Sequence, residues 1–105
     1  MLADTPKPPY HAVIFTSIRT QQDQEYDETA ELMVQLAQQQ PGFLGLESAR
    51  GEDGLGITVS YWQSEDAIKQ WKNHVDHQVA QRRGKQGWYQ DYRVRVCVVA
   101  RSYGL

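Results

Sequence analysis

The residues best suited to chemistry crowd one stretch of the chain, YWQSEDAIKQWKNHVDHQVAQ, in which Trp62 and Trp71 are followed by His74 and His77. Histidine ionises near neutrality, so it can take a proton from a weakly acidic substrate and give it back. On a helix, Ile68, Trp71, Val75 and Val79 fall on one apolar stripe, and His74, Gln78 and Gln81, at i, i+4 and i+7, form a polar file along its border. Such a file opens toward the space between the helix and the layer beneath it, a usual place for a small-molecule pocket. The same positions also suit boundary residues that hydrogen-bond to nearby backbone, and spacing alone leaves both readings open. His77 falls further round, toward solvent.

His74 and His77 stand at the i, i+3 spacing that lets two side chains share a helical face, as metal ligands do. A catalytic zinc needs three protein ligands, and Asp76 projects away from the shared face, so no metal site is expected. Haem needs only one axial nitrogen and an apolar slot, and stays open on these residues. Trp62, Trp71 and Trp88, with Tyr61, Tyr89 and Tyr92, supply flat apolar walls that suit planar ligands, although core packing is the commoner use of such side chains. No nucleophile motif, phosphate loop or dinucleotide fingerprint is present.

The elements that must position these groups follow from the patterning. Met1 to Pro9 holds three of the four prolines and reads as an extended or disordered lead-in. A strand is predicted from about Tyr10 through HAVIFTSIRT, with His11 and Ser17 on the face of Val13 and Phe15: two polar groups on an apolar surface. A helix is predicted from about Gln24 to Gln39, with Asp23 as its N-cap and Pro41-Gly42 as its stop. FLGLESAR and GITVSYW then read as a hairpin around GEDGLG, and Gly45 marks a bulge or a close backbone approach. Ser64, followed by two acids, caps a helix running to about Arg83. KQGWYQD is less regular, and Tyr92 to Tyr103 is the clearest strand, with Val94, Val96 and Val98 on one face and Arg93, Arg95 and Cys97 on the other. This is β-α-β-β-α-β, the ferredoxin-like α+β order. Several strands are apolar on both faces with no chain left for a third layer, so a second copy packed sheet to sheet is expected.

With 105 residues, the chain is long enough for one domain, expected over residues 10–105. Its formal net charge of -2 argues against nucleic acid and anionic membrane as partners. The third-strand signature of the RNA-recognition fold fails here too, since Leu55 and Ile57 stand where base-stacking aromatics are needed. A single cysteine, Cys97, excludes an intramolecular disulfide. With neither an apolar leader nor a run of about 20 apolar residues, a soluble cytoplasmic protein is expected.

QPGFLGLESAR, GITVSYWQSEDAIKQWKNHVDHQVAQ and WYQDYRVRVCVVARSYG resemble, in order and spacing from about Tyr10 to Gly104, the antibiotic biosynthesis monooxygenase family, and within it the small stand-alone members described as haem-degrading monooxygenase-like. The resemblance implies a ferredoxin-like protomer that pairs through its sheet into a dimeric α+β barrel, with a pocket between helices and sheet. It implies oxidation of phenolic, polyketide-type aromatics by dioxygen without metal or flavin, or, in one branch, binding and opening of haem. Of the asparagine, tryptophan and histidine used by the haem-degrading branch, only the tryptophan carries over, as Trp71; the first strand holds no asparagine, and Gln81 stands in the place of the histidine. For the cofactor-free chemistry, the placement of the residues makes His74 the first choice of base, with Trp62 and Trp71 as walls, Ser17 as a hydrogen-bond donor, and Gln78 and Gln81 as lining. The expectation is a small cofactor-independent monooxygenase acting on a planar small molecule; the alternative is a non-catalytic homodimer that binds a small ligand, haem among the candidates.

Overall fold

The chain extends where β-branched and aromatic residues concentrate, and coils where alanine, glutamine and acids take over. The computed structural model describes residues 2–19, 23–82 and 89–104. In it the elements run β1 (Tyr10–Arg19), α1 (Asp23–Gln38), β2 (Phe43–Arg50), β3 (Leu55–Trp62), α2 (Glu65–Arg82) and β4 (Tyr89–Val99). The strands form one antiparallel sheet in the order β2-β3-β1-β4. Both helices lie on one side of it: α1 rests on β2, α2 rests on β3, and the helices touch each other. This is the ferredoxin-like α+β arrangement.

Pairing moves two strand boundaries away from the patterning. β3 begins at Leu55 rather than Gly56 because Leu55 finds a partner in Ile18. β4 begins at Tyr89, opposite Arg19 across a register shift, and ends at Val99 rather than Tyr103, since Val99 pairs with Tyr10, the first residue of β1. Beyond that rung there is no partner to extend the ladder.

Alternation divides the side chains between two faces. His11, Val13, Phe15 and Ser17 share the helix side with Trp62, Ser60 and Gly56 of β3 and with Val98, Val96, Val94 and Tyr92 of β4. The core lies here, formed by Val13, Ala37, Trp62, Ala67 and Ile68, with Phe43 and Trp71 packed against it. Tyr10, Ala12, Ile14, Thr16 and Ile18 look the other way, with Tyr61, Val59 and Ile57.

Part of that back face is covered from within the chain. The N–H of Ala3 donates to Glu47 Oε2 at 2.9 Å, the Tyr61 hydroxyl donates to Glu47 Oε1 at 2.7 Å, and the hydroxyls of Thr5 and Tyr10 lie 2.9 Å apart. Gly45 is the residue that admits this lead-in. Its φ is +155°, the β2–β3 register shifts beside it, and a Cβ there would sit 3.0 Å from the Cβ of Ala3. Bulge and close approach thus coincide at one glycine.

Candidate functional site

α2 is set in place by its first turn. The Ser64 hydroxyl accepts from the N–H of Ala67 at 3.1 Å, an N-cap bond to the third helical residue, and Glu65 and Asp66 face the positive end of the helix dipole. Ala67 and Ile68 enter the core, and Trp71, one turn on, packs its ring on Trp62 with centroids 5.1 Å apart and planes 31° from parallel. Phe43 closes on Trp62 edge-on at 5.3 Å. Both indole N–H groups are satisfied: Trp62 donates to Ser60 Oγ at 2.9 Å, and Trp71 donates to the carbonyl of Met33 on α1 at 3.2 Å. Trp62 is fully buried and Trp71 half-buried, so the pair is a core wall with one partly open side.

Since the helices rest on β2 and β3, the β4 side of the same face is left uncovered. Val94, Val96 and Val98 face the helix layer, yet are 49%, 48% and 62% exposed. Beside this apolar row two polar atoms of β1 are buried without a hydrogen-bond partner among the described residues, Oγ of Ser17 and Nδ1 of His11. They lie at opposite ends of this face of β1. His11 shares a rung with Trp62 and Val98, and Ser17 shares one with Gly56 and Tyr92. Six residues of strand separate them, about 20 Å.

The structure therefore brings Trp62 and Trp71 together and holds Ser17 away from them along the sheet. α2 runs back from the tryptophan end toward the Ser17 end, because it follows β3 and reverses its direction. His74 lies on the turn after Trp71 and is exposed; Gln78, a turn further, is half-buried; His77 is exposed. The Gln81 side chain and Trp88 lie outside the described residues. Among the described residues no group of three or more histidine, cysteine or acidic side chains converges, so His74 and His77 gain no third donor there. Sequence reasoning did not single out His11 for the site, although its place on an otherwise apolar face was the available signal.

The back face carries different chemistry. Glu47 is held below the usual carboxylate range by the N–H of Ala3 and then by the Tyr61 hydroxyl. Burial, and next the bond to Glu47, push the Tyr61 phenol up to about 12. An open hollow of about 280 Å³ lies near one corner, lined by Thr16, Ser17, Ile18, Leu55, Arg93 and Arg95. Among the described residues no helix is long and apolar enough to cross a membrane.

The chain is similar to proteins of one kind. YqjZ of Bacillus subtilis, an uncharacterized protein, is 57% identical over 101 residues, 96% of this chain and 89% of its own length. Among solved structures, a single-residue variant of SnoaB, a cofactor-independent oxygenase from Streptomyces nogalater, matches with a TM-score of 0.70 at 15% identity, over 90% of this chain and 95% of that one. MhuD, in a variant with two manganese protoporphyrin IX molecules bound per active site, matches with a TM-score of 0.64 at 18% identity, over 89% and 98% of the two chains. At such identities the structural likeness speaks for the fold. Residues 9–83 match the family model described as antibiotic biosynthesis monooxygenase, and on that match the chain belongs to the antibiotic biosynthesis monooxygenase family.

Proposed function

We propose that this protein is a small cofactor-independent monooxygenase that holds a planar aromatic molecule in the cleft between α2 and the helix-side face of β1 and β4, and oxidises it with dioxygen. The observation that carries this reading is the uncovered row of Val94, Val96 and Val98 lying on the same sheet face as the Trp62–Trp71 wall and the unpartnered Ser17 hydroxyl. An apolar floor flanked by a few placed polar groups is what a flat, weakly acidic ligand requires. Family membership and the likeness to SnoaB support the reaction type.

The chemistry needs one proton acceptor and an environment poor in water. A base takes a proton from the ring carbon or phenol of the substrate, and the resulting anion is electron-rich enough to react with dioxygen. A carbon–oxygen bond forms, giving a hydroperoxide. The remaining proton on that carbon is then lost, the O–O bond breaks, water leaves with one oxygen atom, and a carbonyl keeps the other. His74 is the proton acceptor in this reading: it follows Trp71 by one turn and, being exposed, passes its proton directly to solvent. Trp62 and Trp71 form the wall, Ser17 donates a hydrogen bond, and Gln78 and Gln81 line the path along α2. The test is oxygen consumption with a panel of hydroxyanthrones and phenols. We expect His74→Ala to lower the rate on the order of a hundredfold, whereas an unchanged rate removes His74 from the mechanism.

A second reading, a non-catalytic dimer that binds haem, is favoured by one observation: the buried, unpartnered Nδ1 of His11 on the helix side beside Trp62. His11 and the valine row would hold the group, the ring nitrogen as a ligand and the valines as an apolar surface, and bound haem would supply redox chemistry there. A Soret shift on haem titration that is lost in His11→Ala supports this reading; no shift in the parent protein discards it.

The same proposal includes a homodimer through the back face, where Ile18, Leu55 and Ile57 are 37%, 42% and 43% exposed. Sheet-to-sheet packing of two copies removes these side chains from water.

A further inference from the structure

One rung of the back face crosses all four strands and carries a charge at each end: Glu47 on β2, Val59 on β3, Ile14 on β1 and Arg95 on β4. With neighbouring strands about 4.8 Å apart, the two charged positions stand about 14 Å from each other, too far to pair across the face of one chain. The next rung reads Ala49, Ile57, Thr16 and Arg93. The β4 edge of this face is therefore basic, β2 carries the acid, and the two middle strands present mostly apolar side chains.

Both ends of the charged rung can be met from outside the chain. Glu47 is half-buried, and its two oxygens accept one bond each, from the N–H of Ala3 at 2.9 Å and from the Tyr61 hydroxyl at 2.7 Å. A carboxylate offers about four acceptor positions, so about two remain. Those two bonds also keep the group ionised and fix its direction. Arg95 is exposed and makes no hydrogen bond or ion pair among the described residues.

Two sheets packed face to face lie about 10 Å apart with their strands nearly aligned. A two-fold axis between them keeps the strands aligned in two directions only. If it runs across the strands, every strand lies over its own copy, and the basic edge of one chain faces the basic edge of the other. If it runs along the strands, β4 lies over the partner's β2, and β1 over the partner's β3. Each rung then faces its own copy turned end for end. Arg95 stands over Glu47 of the partner subunit, Ile14 stands over Val59 of the partner subunit, and symmetry repeats both contacts. Like charges set against each other in an interface are costly, so the charges select the axis along the strands.

We propose that two copies of this chain pack back face to back face about a two-fold axis parallel to the strands, with Arg95 of each paired to Glu47 of the partner subunit. This rests on the homodimer reading above and deepens it by fixing the axis and naming the paired groups. The lead-in has a defined part in the assembly: through the N–H of Ala3 it orients the carboxylate that receives the partner's Arg95.

The test is sedimentation equilibrium of the full chain at micromolar concentrations with two charge reversals, Arg95→Glu and Glu47→Lys. Each variant alone sets like charges against each other at both contacts, and we expect its dimer to weaken on the order of a hundredfold. In an equimolar mixture, a pair made of one chain of each kind has opposite charges at both contacts. The mixture should therefore sediment as two chains at concentrations where neither variant does alone. Near-ultraviolet circular dichroism establishes that each variant is folded. Glu47→Lys also gives up the bonds to Ala3 and Tyr61, and should it fail to fold, Arg95→Glu carries the test by itself. An axis along the strands makes its dimer weaker, whereas an axis across them makes it stronger, because the reversed charge then faces the basic edge. An Arg95→Glu dimer as tight as the parent's or tighter overturns the proposal, and so does a mixture that associates no better than its components. In both cases a parent protein with the mass of two chains leaves the homodimer standing, and only the axis and the pair fall. A parent that sediments as one chain overturns both.

Discussion

Tyr61 shows how much a single hydroxyl can depend on its surroundings. Its ring packs edge-on against Tyr10 at 5.8 Å, and its O–H is given to a carboxylate that is itself held ionised by the lead-in. Burial disfavours the phenolate, ionising it would also place two negative charges side by side, and its value stands at about 12. The folded value lies above the ordinary one of about 10, so this contribution to stability is complete below about pH 10 and is lost as the pH rises through about 12. Glu47 has the opposite sign: its folded value is depressed, and its contribution, present above the ordinary carboxylate value, is lost as the pH falls through the lowered one. Ultraviolet titration of tyrosinate should show one tyrosine ionising late, and Tyr61→Phe should remove that late step from the curve. The residue types and their parity were legible in the sequence, since Tyr61 alternates with Trp62. The partner was not, because Ala3 and Glu47 are 44 residues apart and meet only when the lead-in folds across β2.

At the scale of elements, the patterning placed the six described strands and helices, and it placed the start of α2, which a local bond decides. Ser64 is the clearest case: its side chain caps α2 as the sequence of a hydroxyl followed by two acids implies. Ser64→Ala should lower stability by about 0.5–2 kcal/mol in urea denaturation. Ser64 stands exposed outside the core, so an effect near zero would show that packing of Ala67, Ile68 and Trp71 alone fixes the start of the helix. Where an element ends because its partner ends, periodicity gave no warning. β4 stops at Val99 although the apolar pattern runs on, because β1 begins opposite it. The same limit affected the site. Helical geometry put His74 at the border of the core stripe, but how far it is exposed depends on where α2 lies over the sheet. That is set by the contacts of Trp71 with Trp62 and with Met33 of α1.

For the whole molecule, the outcome turns on surface that one chain does not cover. Val94, Val96 and Val98 are open on one side of the sheet, and Ile18, Leu55 and Ile57 on the other. The proposed ligand occupies the first set and a second copy the second. Sedimentation equilibrium at micromolar concentration should give the mass of two chains, and Ile57→Asp should shift it to one by placing a charge at the centre of the contact. A parent protein that sediments as a single chain would contradict the dimer. The two sets behave differently in the sequence as well. Alternation revealed that both faces of the sheet are apolar, which is why a partner was expected, but not that the lead-in already covers the Tyr10 corner.

The contact between Trp62 and Trp71 has a further consequence, an optical one. Two indoles with centroids 5.1 Å apart and planes inclined by 31° lie close enough for their electronic transitions to couple, and the two rings belong to different elements, one to the last residue of β3 and one to the second turn of α2. Their shared chirality exists only while the helix is seated on the sheet. The molecule thus carries a built-in chromophore that reports the docking of α2, independent of helix content and without any added label.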